Sequence, residues 1–472
     1  MNFLSFSFAG FGILLFAAWW ALPNQCRPWI LAVANIIFAA LFGTKAILCL
    51  AIVSAIGYVF GLLQSNRQNK ALAFAGILAC AAPLLGYKYL PVAGLHIEAL
   101  QAFQGIIAPV GISFYVFKSI SYLIEVYRTR IAPERNFLFY FNYIGFFAQF
   151  SSGPIQRPNQ LLPQLRQTFV FSQTLAFQGC IRLCWGLFLK KCLADHFAAY
   201  QGALTQTDHY YGLCIVWSMI AYALYLYFDF ASYSQLSIGV ANLLGIRVEE
   251  NFISPYFSRS IGEFWRRWHI SLSSFLKDYI YIPMGGSRNG TVVLIAATMV
   301  TFLVSGAWHG ATDGFLVWGA LHGIYLLAGR ATKPLREKGW ALLHQAPNSV
   351  LRTLCGYLCT FVLVTIGWFF FQTGTLHQAF GVASYLFQPF SFSLQYIKES
   401  VTQLGYTPII LLRLGLFTAF AAFVDWSSKD KGFGAWIMHK KPTFWVVFCY
   451  ICVFSTLFFG AAGTLQNIYF AF

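Results

Sequence analysis

Apolar runs close to the length of a bilayer crossing follow one another along this chain. That succession restricts the fold more than any other feature. The first occupies 1–22, and others fall at roughly 28–43, 46–63, 71–90, 105–127, 136–150, 174–193, 210–245, 291–308, 313–329, 350–372, 408–426 and 443–460. A helix needs ~20 apolar residues to cross the hydrocarbon core. Lipid offers the backbone no hydrogen-bond partner, so such runs must be helical, and shorter ones re-entrant or buried. The pattern predicts about 11–12 crossings. Only 10% of residues are charged and 58% are hydrophobic, against about 25% and 45–50% in soluble domains. Such a chain cannot solvate its own surface. The expected fold is an all-α polytopic integral membrane protein, a single membrane-embedded domain over 1–472.

The few charges are strongly basic, 31 Lys and Arg against 15 Asp and Glu, a net +16. In a soluble protein this would suggest nucleic acid. Here the cations sit in short loops: Arg27, Arg67–Lys70, Arg128–Arg135, Arg330–Lys338 and Lys429–Lys441. Placing those loops in the cytoplasm predicts both termini outside a cytoplasmic (inner) membrane. No Lys or Arg precedes the first run, so it reads as a retained span rather than a signal peptide. The eleven cysteines lie mainly in apolar runs and read as small buried hydrophobes. No four-ligand zinc set can be assembled from them.

Two stretches, 151–170 and 247–290, are polar, punctuated by Pro and Gly, and still aromatic. They cannot be lipid-exposed spans. Within the second, Ser260 and Glu263 have capping-box spacing, which predicts a helix starting near 260. Ile261, Phe264, Trp265, Trp268, Leu272, Phe275, Leu276 and Tyr279 follow at helical spacing, bordered by Arg266, His269, Ser273 and Lys277, and Pro283 ends the run. Two readings are open. One is an interfacial amphipathic helix with snorkelling cations. The other is a basic face that holds an anionic head group, with His269 near the chemistry.

The stretch 305–323, SGAWHGATDGFLVWGALHG, places His309 beside Trp308 at the end of an apolar run. A histidine at membrane depth is a functional candidate by default. A neutral imidazole there can accept a proton from an attacking hydroxyl. His322 follows further on and reads better as a packing residue. Asp229 lies in the apolar aromatic span YLYFDFASYSQLSIG, 225–239. It either pairs with an arginine or orients a catalytic or substrate group. The stretch 150–163, FSSGPIQRPNQLLP, is non-helical and carries Gln156 and Arg157.

Taken together, SGPIQRP, YFDFASYSQLSIG, FWRRWHISLSSFLKDYIYIPMGGSRNG and SGAWHGATDGFLVWGALHG closely resemble the membrane-bound O-acyltransferase family. The resemblance covers about 145–325 and points to the bacterial branch that O-acetylates alginate, peptidoglycan and related polysaccharides. It implies a ring of tilted helices around a thin centre, a cytoplasmic tunnel for the acyl donor and an outer funnel for the acceptor. It matches the catalytic histidine to His309 and the second characteristic histidine to His269. The Asp229/Tyr233 and Gly153–Arg157 segments match core-lining motifs. The tail LQNIYFAF (465–472) resembles an aromatic-tyrosine motif whose hydroxyl relays the acyl group, here Tyr469, although Asn467 stands where that motif has its first aromatic.

The expectation is therefore transfer of an acetyl group from acetyl-CoA or another cytoplasmic donor to an exported polysaccharide. His309, His269 and Tyr469 are the expected catalytic residues. Arg266, Lys277, Ser273, Trp268, Trp308, Asp229, Tyr233, Gln156 and Arg157 are the expected substrate contacts. No tightly bound cofactor or metal is called for. An extracytoplasmic SGNH-type (esterase-fold) partner is implied. The rivals are D-alanyl transfer to teichoic acid and, in another class, a transporter of an anionic or lipid-linked substrate. A transporter should carry inverted repeats with paired broken helices, and none is evident.

Overall fold

Backbone groups in an apolar run have only one another as partners, and the runs do fold as helices. The computed structural model describes residues 4–64, 68–94, 97–103, 105–205, 210–388, 390–391 and 393–462. Helices and irregular connections make up the described residues, with no strand among them. Seven helices there are long and apolar enough to cross a membrane: Thr44–Gln64, Lys70–Gly94, Leu213–Leu243, Gly290–His309, Val350–Thr373, Pro408–Ser428 and Pro442–Phe459. The protein is an all-α polytopic membrane protein. Other helices carry the remaining runs, among them Phe6–Ala21, Arg27–Ala40, Ile112–Tyr127, Phe137–Gly145, Gln173–Phe188 and Asp313–Ala331.

The chain packs as two compact units. The first comprises residues up to Gly186 together with Tyr233–Glu249. Its centre is the trio Thr44–Gln64, Lys70–Gly94 and Ile112–Tyr127. Small residues let these helices approach closely, as apolar interfaces in lipid require. A Cβ on Gly61 would lie 2.5 Å from the Tyr122 ring, and one on Gly57 would overlap the Tyr140 hydroxyl. The Tyr140 hydroxyl in turn meets Ser119 Oγ at 2.9 Å. Asn35 and Asn142 add a buried amide pair, Asn35 Nδ2 donating to Asn142 Oδ1 at 3.1 Å.

The second unit comprises Leu187–Ser232 and Glu250–Leu465. Its tightest pair is the hairpin of Gly290–His309 and Asp313–Ala331. A Cβ on Gly306 or Gly319 would strike the facing backbone carbonyl, of Phe315 and Phe302 respectively. That close crossing fixes the turn that carries His309. The polar stretch 250–281 is cut into the short helices Ile261–Arg267 and Ile270–Leu276 and a π-turn, Lys277–Tyr281. The continuous helix expected from 260 is thus broken at Trp268–His269. The break has a local cause, described below.

Packing of the first unit predicts a sharp contrast between two glycines. Gly61→Val should destabilise the protein by about 1–3 kcal/mol through overpacking. Gly415→Ala, where a Cβ meets nothing within 4 Å, should be neutral or slightly stabilising. Thermal midpoints of the detergent-solubilised variants check this.

Candidate functional site

Ser260 caps the helix Ile261–Arg267 as its spacing predicts, accepting from Glu263 N at 3.2 Å. Glu263 reaches back to Arg259 N at 2.8 Å rather than to the cap residue itself. The helix ends because Trp268 is extended and His269 is left-handed, with φ 43° and ψ 53°. This conformation is uncommon for a residue with a side chain, and strain of that kind persists only where the surroundings impose it. Asn251, fully buried, supplies the constraint. Its carbonyl accepts from Ile270 N at 3.0 Å. Its Oδ1 accepts from Ser271 N at 3.1 Å and Ser271 Oγ at 2.9 Å. On the other side of the break, Ile253 N donates to Arg267 O at 3.0 Å.

Turned inward by this kink, His269 is 1% exposed. Its ring meets Phe230 edge-on at 4.6 Å between centroids. Burial pushes the His269 imidazole down to about 3, so it is neutral near pH 7. His309 closes the helix Gly290–His309 and is 6% exposed. Trp308 joins the two histidines, its ring centroid 6.1 Å from His269 and 4.6 Å from His309. Trp318 and Phe371 meet His309 edge-on at 5.1 and 5.0 Å. The structure therefore brings His269, Trp308 and His309 together in one aromatic cluster. His322 takes a packing position, with Nδ1 accepting from Trp265 Nε1 at 3.2 Å.

The other predicted residues of this unit divide by environment. Trp268 is buried, stacked on Phe264, with Phe252 edge-on and Trp368 tilted against it. Ser273 Oγ donates to Trp268 O at 3.1 Å. Arg266 and Lys277 are exposed, and neither forms an ion pair among the described residues. Arg267, which was not singled out, is engaged by Glu263 at 2.9 Å and by the carbonyl of Lys429 at 2.7 Å.

Asp229 is fully buried and pairs with a lysine, not the arginine considered from sequence. Lys190 Nζ lies 2.6 Å from Asp229 Oδ1 and 2.7 Å from Asp195 Oδ1. Lys191 meets the other Asp195 oxygen at 3.2 Å. The run expected at 174–193 passes into a π-turn at Leu189–Ala194, and this turn carries both lysines. Lys190 was missed, because the doublet sits at the end of an apolar run where a snorkelling cation is the ordinary reading.

Tyr233, Gln156 and Arg157 belong to the first unit. Tyr233 is fully buried. Gln156 accepts from Gln149 Nε2 at 2.7 Å and donates to Arg247 O at 3.1 Å. Gln149 in turn accepts from Lys118 Nζ at 2.8 Å. Arg157 starts the helix Pro158–Arg166, its N–H bonded to Gln160 Oε1 at 2.8 Å. Lys118, 2% exposed, escaped the sequence reading. Its signal was a lysine inside the apolar run 105–127, which by rule marks a polar role. Tyr469 lies outside the described residues.

Residues 127–370 match the membrane-bound O-acyltransferase family. A probable alginate O-acetylase of Pseudomonas fluorescens is 38% identical over 58% of this chain, an alignment that spans 53% of that protein. One from Pseudomonas aeruginosa is 34% identical over 77% of this chain and 70% of its own length. A peptidoglycan O-acetyltransferase of Helicobacter pylori is 29% identical over 80% of this chain and 77% of its own length.

The buried charges predict asymmetric mutational costs. Lys190→Met removes the buried cation shared by Asp229 and Asp195 and should cost about 3–5 kcal/mol. Lys191→Met, at the rim, should cost about 1 kcal/mol or less. Comparing their thermal midpoints in detergent tests the difference.

Proposed function

The chain belongs to the membrane-bound O-acyltransferase family and is an O-acyltransferase, and on that basis we propose that it carries acetyl groups across the membrane to an exported or cell-surface polysaccharide. The observation that carries this reading is His309, buried at the end of an apolar helix and linked to a second buried histidine through Trp308. The names of the relatives, which O-acetylate alginate or peptidoglycan, support a sugar hydroxyl as final acceptor.

The donor in this proposal is acetyl-CoA or a similar activated acyl group entering from the cytoplasm. Arg266 and Lys277, exposed and free of ion pairs among the described residues, hold its anionic part. The acceptor hydroxyl oxygen attacks the thioester carbonyl carbon, the carbon–sulfur bond breaks, and the thiolate leaves. His309 takes the hydroxyl proton and returns it to the thiolate, giving an ester and a free thiol. His269 assists as a neutral ring fixed across Trp308. Asp229 holds its own helix in place through Lys190, and Gln156 and Arg157 order the polar stretch 150–163 of the first unit, which Tyr233 also belongs to. Tyr469 serves as the first acceptor and relays the acetyl group outward, where an SGNH-type partner delivers it to the polymer. Both termini lie outside an inner membrane in this arrangement, as the basic loops favour.

His309→Ala should lower polymer O-acetylation by about 100-fold or more. Ester content of the surface polysaccharide, measured with protein level and elution profile matched, provides the readout. Unchanged acetylation would overturn the assignment. Tyr469→Phe should block delivery to the polymer while leaving the protein folded, and full acetylation in that variant would exclude the relay.

A further inference from the structure

An open groove of about 870 Å³ lies within the first unit, between the start of Arg27–Ala40, the start of Phe137–Gly145 and the stretch 165–169. We infer that this groove is a docking site for one anionic phospholipid. The inference is independent of the acyl transfer proposed above.

The groove has two chemically different parts. Its wall includes Trp29, Ile36 and Phe137, which are 65%, 45% and 44% exposed. Such a wall suits acyl chains rather than water. Its floor is cationic. Arg27 is 6% exposed; its Nε donates to Trp19 O at 2.9 Å and its Nη1 to Phe169 O at 2.7 Å. The guanidinium carbon sits 4.6 Å over the Trp20 ring. Carbonyls and rings fix Arg27 in place without cancelling its charge, and no carboxylate pairs with it among the described residues. Arg166 also lines the groove and pairs with Glu134 at 2.5 Å. Arg135 is exposed beside the lining residue Asn136 and has no ion pair among the described residues. Two arginines, Arg27 and Arg166, thus line the groove, and a third cation, Arg135, adjoins it in sequence.

Two helix starts strengthen this charge. The N-terminal ends of Arg27–Ala40 and Phe137–Gly145 both open on the groove, and each carries a partial positive charge. The combination selects an amphiphile. Inorganic phosphate would use the floor and leave the wall wet. A zwitterionic lipid would cover the wall but bring no net charge to the floor. An anionic head group with its chains along Ile36 and Phe137 uses both, as basic pockets beside membrane helices do. The basic loops place Arg27 and the segment 128–135 on the same side by the positive-inside rule, and the groove lies between Arg27 and Asn136, the residue that follows that segment.

The test is native mass spectrometry of the full chain, purified in detergent with equimolar phosphatidylglycerol and phosphatidylcholine. The wild type should retain one phosphatidylglycerol in preference. Arg135→Gln should reduce that preference about fivefold, and Arg135→Gln with Arg166→Gln should reduce it about fivefold again. Arg135 is exposed and without an ion pair, so the single variant reads the preference even if the double variant folds poorly. Equal retention of the two lipids, or a preference untouched by Arg135→Gln, would overturn the inference. So would displacement of the bound lipid by inorganic phosphate alone, which would make the floor a soluble-anion site.

Discussion

A charge buried among apolar helices has no water to fall back on, and the second unit is organised around how Lys190 meets that constraint. Its ammonium group is fully buried between Asp229 and Asp195. Removing a carboxylate or an ammonium from such a cluster leaves an uncompensated charge, which costs far more than the cluster contributes when intact. The geometry therefore has to be exact enough to serve all four groups, Lys191 included. The π-turn at Leu189–Ala194 supplies it, by presenting two successive lysines to carboxylates on the following helical segments. The same turn also holds the chain's last described segment. Lys191 O accepts from Ala461 N at 2.9 Å, and His196 Nε2 lies 2.9 Å from Phe459 O. One buried cation thus fixes the helix bearing Asp229 and the end of Pro442–Phe459 together.

The candidate site in this unit depends on a second polar constraint of the same kind. Asn251 is buried, and its amide oxygen and carbonyl are used up in holding the residues after His269. That clamp maintains a left-handed histidine and turns its ring toward Phe230 and Trp308. The site is therefore rigid for reasons that lie in the backbone and not in the histidines themselves. His309 is rigid for a different reason, the glycine-mediated crossing of its helix hairpin. Two independent devices position the two imidazoles.

Much of this was legible in the sequence. The apolar runs became helices because lipid permits little else. The polar stretch 247–290 was readable as non-spanning, since its Pro, Gly and polar residues cannot face lipid, and it folds into a series of short helices and turns that is buried in part. His309 stood out because polar groups are scarce in these spans. Three features escaped. The helix expected from 260 breaks at His269, because helical periodicity on both sides of the break is preserved and Asn251, which forces it, precedes it by many residues. Asp229 was recognisable as needing a cation, but a single carboxylate does not specify whether lysine or arginine answers it. Lys118 was visible as a lysine in an apolar run, yet its partner Gln149 lies in another segment.

The sequence alone determined the solvent of this protein, its helical character and a short list of candidate residues. These follow from composition and local periodicity, which act on neighbouring residues along the chain. Only the tertiary structure decided which polar groups answer one another: Lys190 with Asp229, Asn251 with the kink at His269, and Trp308 between two histidines. Those pairings join residues far apart in sequence. They are settled by the requirement that each buried charge and amide find a partner in three dimensions.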